Sequence, residues 1–232
     1  MPAVPGAGDR AFYVEIGDFQ RGDYRRNAFA AGTAEEAAAL ISILELRRGA
    51  RVLDVGCGDA RHLRALAADP GVEGVGIDVR VGDARTLTAD LGAEIGTFDV
   101  AWSLCQGGLG TSPATDPAVL AGLAAAVRPG GAVAVTLFSA LFAARHLAPG
   151  DAFDPVHLVH HQVSEVHGPD HARQRFDLWT ASYTVRDAVR LCGDAGLEVV
   201  GVRGVEPGAY GRRAGGEVGI DDPELLVVAR RP

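Results

Sequence analysis

Apolar residues fall along this chain in short continuous runs, and between the runs they recur at helical spacing, so strands and helices alternate. Arg51–Val55, closed by Gly56, predicts a strand buried on both faces. Val72–Val79 predicts a second, with Asp78 near its carboxyl end. Phe98–Leu104 and Ala132–Phe138 predict two more, the latter delivered by the turn Arg128–Gly131. Helices are predicted from Thr33 to about Leu46, with Thr33 and Glu36 as a capping box, and over His62–Ala68. A third spans Asp116–Val127, with Asp116 as N-cap and Pro117 at its first position. Phe176–Tyr183 then reads as a strand, Thr184–Ala195 as a helix capped by Thr184, Leu197–Val205 as a strand and Glu224–Ala229 as the last. This alternation predicts an α/β fold with a doubly wound, mostly parallel sheet and right-handed crossovers.

Two places break the rhythm. Residues 139–175 carry Pro, Asp and most of the seven histidines, and predict an insertion into a single domain spanning 49–232. Only Val79–Gly82 separates Asp78 from Asp83, whereas a parallel crossover needs roughly a dozen residues or more. A crossover helix between the second and third strands is therefore missing, by true deletion or because residues are absent from the chain as written. Residues 1–48 read as a helical lead-in, with Phe12, Tyr13, Phe19, Tyr24 and Phe29 set among charges.

The stretch from Val52 to Arg61 runs strand, glycine turn, helix start. Gly56 and Gly58 let the backbone approach a ligand, and the helix N-terminus favours anionic or polar groups. Arg61 stands where a dinucleotide fingerprint places Gly or Ala. Asp54, just ahead of the first glycine, repels a pyrophosphate but accepts from an ammonium group. Asp78 lies at a strand end, where a carboxylate hydrogen-bonds ribose hydroxyls.

Taken together, VLDVGCGDARH, VGIDV, GDA, FDVAWSLCQGG and VRPGG resemble the class I S-adenosylmethionine-dependent methyltransferase family of the small-molecule type. The resemblance runs motif by motif over residues 50–138. It implies a Rossmann-like, seven-stranded sheet with an antiparallel last strand, and S-adenosyl-L-methionine as cofactor, leaving S-adenosyl-L-homocysteine. By position it implies that Asp54, Gly56, Cys57 and Gly58 hold the methionine part and Asp78 the ribose. It implies further that Asp83 and Ala84 meet the adenine, and that Ser103 and Leu104 line the cofactor beside the methyl acceptor. The run Tyr24–Phe29 fits a lid, from which Asn27, the chain's single Asn, could reach the cofactor carboxylate.

Composition narrows the acceptor. All 22 basic residues are Arg, which excludes a P-loop Lys, a Schiff-base Lys and a Lys general base. A net charge of −8 disfavours nucleic acid and anionic membranes as partners, and the [DNS]-P-P-[YFW] sequence of base-methylating enzymes is absent. No apolar run approaches the ~18 residues of a membrane span. Cys57, Cys105 and Cys192 form no C-x-x-C pair, so a reducing cytoplasm is the expected setting. The expected acceptor is a small molecule. Candidate bases are His146, His160 and His161; candidate acceptor contacts are Gln106, Trp179, Tyr183, Tyr210 and Arg212. His157 and His161, at i and i+4, invite a metal, but no supporting ligand motif accompanies them. Two rival functions share these features: an NAD-dependent oxidoreductase, which Asp54 and Arg61 disfavour, and a non-catalytic S-adenosylmethionine-binding protein.

Overall fold

The computed structural model describes residues 12–20, 28–68, 71–77, 83–105, 108–111, 113–211 and 216–232. Helices α1 (Phe12–Gln20), α2 (Ala28–Ala31) and α3 (Thr33–Leu44) precede β1 (Arg51–Val55). The chain continues through α4 (Arg61–Ala68), β2 (Glu73–Ile77), α5 (Leu87–Leu91), β3 (Phe98–Ser103), α6 (Asp116–Ala126) and β4 (Val127–Ser139). Then come α7 (Ala140–Arg145), β5 (Ala152–Asp154), β6 (Val159–His167), β7 (Arg173–Tyr183), α8 (Val185–Asp194), β8 (Glu198–Val205) and β9 (Glu224–Arg230).

Strands β2, β1, β3 and β4 lie side by side in parallel. Strand β9 inserts antiparallel between β4 and β8, so β8 runs with the parallel set. The expected antiparallel last strand is therefore present. The expected count of seven is corrected: six strands make the main sheet, and β7, β6 and β5 extend it to nine among the described residues. No described strand lies between β2 and β3, and β2 is the sheet edge, so one passage carrying α5 links them where a seven-stranded sheet needs two. The short stretch 78–82 lies outside the described residues.

Period-two alternation divides the sheet's side chains between two cores. Leu53, Val55, Ala101, Val133, Val135 and Val227 face α6 and α8. Val52, Val100, Trp102, Ala134, Leu226 and Val228 face α3 and α4, meeting Leu40, Leu44 and Leu66. Leu40, Leu53 and Trp102 are completely buried, each worth roughly 1.5–3 kcal/mol of transfer free energy.

Three local expectations are overturned. Gly32, not Thr33, caps α3; Thr33 Oγ donates to Ala30 O at 2.7 Å, and the Glu36 side chain is fully buried elsewhere. Thr115 caps α6, while Asp116 turns inward to accept from Gly110 N at 2.9 Å and from the Tyr183 hydroxyl. The Arg128–Gly131 turn is part of β4: pairing with β3 slips between Phe98 and Val100, and Gly130 takes φ +76°. By contrast, Thr184 and Asp187 form a full capping box on α8. The insertion holds an ordered hairpin, β6–β7, because Val159 to His167 pairs residue by residue with Ala181 to Arg173.

Candidate functional site

The carboxyl ends of the parallel strands form one edge of the sheet, and the motif residues collect there. Asp54 is buried at the end of β1. Gly56 (φ +78°) and Gly58 (φ +56°) turn the chain toward α4 through left-handed conformations that cost a residue with a Cβ roughly 1–2 kcal/mol. Gly108, in the loop after β3, faces a cradle. A Cβ there would stand 3.1 Å from Ser103 Oγ and 3.4 Å from both Ala84 Cβ and Val55 Cγ1. The ends of β1 and β3 and the turn before α5 thus converge on one small space. Ser103 Oγ is buried beside it with no hydrogen-bond partner, an arrangement that is costly unless something else accepts or donates there.

Two motif residues are placed differently from that cradle. Cys57 Sγ lies against Gly76 of β2, 2.8 Å from where a Cβ would stand, so glycine on β2 is what admits the thiol. Asp83 accepts from Arg85 N and from the Arg85 guanidinium, the ion pair closing to 2.6 Å. Those hydrogen bonds hold its carboxyl below the usual range, against the opposing effect of burial. Leu104 is buried in the core beneath α3. Asn27, Asp78, Gln106 and Arg212 lie outside the described residues.

A polar network that no spacing announced ties this edge together. Glu36, on the buried face of α3, accepts from His62 Nε2 at 2.9 Å, from Gly208 N at 2.6 Å and from Arg61. Arg61 also reaches Thr33 Oγ at 2.9 Å and Cys105 Sγ at 3.2 Å, and the Tyr210 hydroxyl meets the same sulfur at 3.1 Å. Cys105 sits in a left-handed conformation (φ +50°) and donates its N–H to Thr136 Oγ at 2.8 Å. Burial raises Glu36, but the His62 hydrogen bond, the Arg61 charge and the Gly208 N–H together hold its carboxyl below the usual value. Burial, then the charges of Glu224 and Glu36, push the Cys105 thiol up to about 12, which makes it a poor nucleophile. Burial first, and the neighbouring charges next, likewise raise Tyr210. The overlooked signal was Glu36 itself, an acid four residues before Leu40 and eight before Leu44 on the apolar stripe of α3.

The histidines of the insertion are separated by their surroundings. His146 pairs with Asp221 at 2.9 Å, where Arg145 also binds. His157 pairs with Asp154 at 2.7 Å in the turn before β6, and His161 with Asp177 at 2.8 Å while stacking on Trp179 at 4.0 Å. His160 differs because both partners are enclosed: its side chain is 16% exposed and that of Asp151, 3.0 Å away, is 13%. Tyr183 is committed to Asp116 in the core; burial and then that carboxylate raise its hydroxyl far above the usual range. Tyr210 is buried in the network, and Trp179 is half-buried on the hairpin. Beside β8, a cleft of about 260 Å³ opens between Phe142, Val205, Glu206, Ala209, Asp221 and Asp222.

The fold is the Rossmann-like one shared with solved methyltransferases. The structure is similar to the CcbJ methyltransferase from Streptomyces caelestis, at 18% identity and TM-score 0.63, covering 87% of this chain and 96% of that one. It is also similar to CalS10, an amino pentose methyltransferase from Micromonospora echinaspora, at 20% identity and TM-score 0.52, covering 95% and 97%. The [4+2]-cyclase SpnF matches at 16% identity and TM-score 0.53, covering 86% and 80%. In sequence, a family model for methionine biosynthesis protein MetW matches residues 37–92, less than half of the chain, and no curated protein matches. Among the described residues no helix is long and apolar enough to cross a membrane.

Proposed function

We propose that this chain transfers a methyl group from S-adenosylmethionine to a small-molecule acceptor. One observation carries the proposal: Val55, Ala84, Ser103 and Gly108 converge on a cradle at the carboxyl edge of a methyltransferase-type sheet, with Asp54 buried at the adjoining end of β1. The donor set fits the cofactor. Asp54 is a carboxylate for its ammonium group, the Gly56–Gly58 backbone admits its methionine chain, and the unpartnered Ser103 hydroxyl supplies a hydrogen bond next to an apolar slot. Asp83 and Ala84 would flank the adenine, with Asp83 exchanging its Arg85 partner for the amine, and Asp78 would take the ribose. When bound, the sulfonium supplies an electrophilic methyl whose charge disperses as it moves, so the chain's own contribution is alignment and exclusion of water. The Glu36–Arg61–Cys105–Tyr210 network supplies alignment by fixing the glycine turn, the chain after β3 and the connection after β8 to one another.

Because SpnF is a cyclase on this fold, a second reading is kept: a cofactor-binding protein whose chemistry is not methyl transfer. A thermal-shift comparison tests the cofactor that both readings share. A ligand at 100 times its dissociation constant adds ~2.7 kcal/mol. Stabilisation by S-adenosylhomocysteine and not by NAD is expected, and a shift with NAD alone would overturn the proposal. Transfer of label from methyl-tritiated cofactor to any acceptor separates the enzyme from the cofactor-binding protein.

A further inference from the structure

We infer that Asp116 and Tyr183 are positioning residues: their hydrogen bond clamps the β6–β7 hairpin to the loop that walls the cofactor cradle, so that filling the cradle and setting the hairpin are coupled. The inference rests on the cofactor site of the proposed function and adds the part of the fold that responds to its occupant.

Strand pairing places the hairpin. On one flank β4 pairs with β9 from Ala132 to Phe138. On the other flank it pairs with β3 as far as Val135, opposite Ser103, and beyond that with β7 at Phe138 and Ser139. Strand β7 therefore takes up the lane that β3 leaves, just past the carboxyl edge where the cradle lies. Side-chain alternation puts Ala181 and Tyr183 on the face of the sheet that carries Val55 and Ser103. Val55, Leu109, Leu137, Ala181 and Tyr183 accordingly share one buried core. Trp179 follows on that face of β7 with His161 of β6 directly opposite it, so the setting of the hairpin also decides where these two rings stand.

Three consecutive residues of the loop after β3 carry the link. Gly108 lies against Ser103, Ala84 and Val55 at the cradle. The Leu109 side chain is completely buried in the core. Gly110 is held from two directions: its N–H donates to Asp116 Oδ2 at 2.9 Å, and its C=O accepts from Ala181 N at 2.8 Å. The Tyr183 hydroxyl donates to the same Asp116 oxygen. These bonds close a ring that runs from Asp116 through Gly110 and Ala181 to Tyr183 and back to Asp116.

The ring is stiff because it is buried. Asp116 is fully buried, and leaving either of its donors unpaired in that setting costs the donor its desolvation. Asp116 also opens α6, and a Cβ on Gly122 of that helix would stand 2.9 Å from Leu87 Cβ, at the start of α5 and just after the Ala84 turn. One helix thus backs both the Ala84 side of the cradle and the clamp on the hairpin. An occupant of the cradle packs on Gly108 and fixes the loop, and the two bonds at Gly110 pass that constraint to β7. By linkage the reverse holds as well: a loosened hairpin weakens the binding of the occupant by the same factor.

The test uses the full chain, with S-adenosylhomocysteine as the probe and temperatures well below the Tm. Calorimetry on the wild type comes first: no saturable binding there overturns the cofactor site, and the clamp with it. Given binding, the probe should slow amide exchange at Gly110 and at Ala181 alike, while amides at the carboxyl end of α8 keep their rates. Tyr183→Phe should raise the Kd at least fivefold, the lower end of coupling between sites, and abolish the added protection at Ala181. Combining it with Asp116→Asn should leave the Kd within twofold of Asp116→Asn alone, because both substitutions remove one shared bond. Thr184→Ala is the control for lost stability: its hydroxyl serves the α8 cap, so the Kd should stay within twofold of wild type. Should a variant fail to fold, the exchange pattern of the wild type decides by itself. Protection at Gly110 without protection at Ala181, an unchanged Kd in Tyr183→Phe, additive losses in the double variant, or an equal loss in Thr184→Ala would overturn the inference.

Discussion

Replacing Glu36 by Gln tests whether the buried network holds the site edge together. The carboxylate receives two side chains of α4, Arg61 and His62, and the backbone N–H of Gly208. Gln keeps the volume and one carbonyl acceptor but removes the charge, so the largely enclosed Arg61 guanidinium loses the carboxylate it meets on α3. Breaking a buried ion pair from one side costs about 3–5 kcal/mol; with the remaining acceptor the lower end applies, about 3 kcal/mol. For a chain of this size that is a fall of roughly 6–12 °C in Tm. The pH dependence follows from the depressed carboxyl of Glu36, whose ordinary value is 4.5. A depressed folded value means the stabilisation is fully present above the unfolded value and is lost as pH falls through the folded one. Urea unfolding at pH 7 should therefore show the full difference between wild type and variant, and the two should converge below pH 4.5. Adding Arg61→Met to Glu36→Gln removes the other member of the pair, so the double variant should be less destabilised than the two single effects added together. A loss under about 1 kcal/mol at pH 7, or one that stays constant as the pH falls through that range, would refute the reasoning.

Other perturbations address separate contacts. Tyr183→Phe takes the hydroxyl from the buried Asp116 carboxylate and should cost about 1–3 kcal/mol in denaturant unfolding. Thr184→Ala removes one half of the α8 capping box and should cost ~1 kcal/mol, with amide exchange rising in the first turn of that helix. Gly32→Ala would put a Cβ 1.7 Å from Gly208 O, so the connection after β8 must shift; a lowered Tm and a weaker Gly208–Glu36 contact, read from the Gly208 amide, are expected.

Much of the fold was legible because each strand is a short apolar run with turn chemistry at its end. The glycine turn after Asp54 was legible because its conformation demands glycine at Gly56 and Gly58. The i, i+3 spacing of Thr33 and Glu36 matches both a capping box and an acid on an apolar stripe; tertiary partners decided for the second. Asp116 likewise looked like a cap, and only the return of β7 over the loop after β3 brought Tyr183 to it. The hairpin was hidden because β6 carries three histidines where an apolar alternation was sought, and two of them pair with Asp151 before the strand and Asp177 on β7. Strand count failed at β2, where the family pattern presumes a neighbour that the described chain lacks.

The most direct test of the central claim is calorimetric titration of S-adenosylhomocysteine into the full chain and its Asp54→Asn variant. Saturable binding to the wild type is expected, with affinity reduced about 10- to 100-fold in the variant, corresponding to one hydrogen bond to a charged group. Absence of binding to the wild type, or equal affinity in both, would contradict a cofactor held at the end of β1.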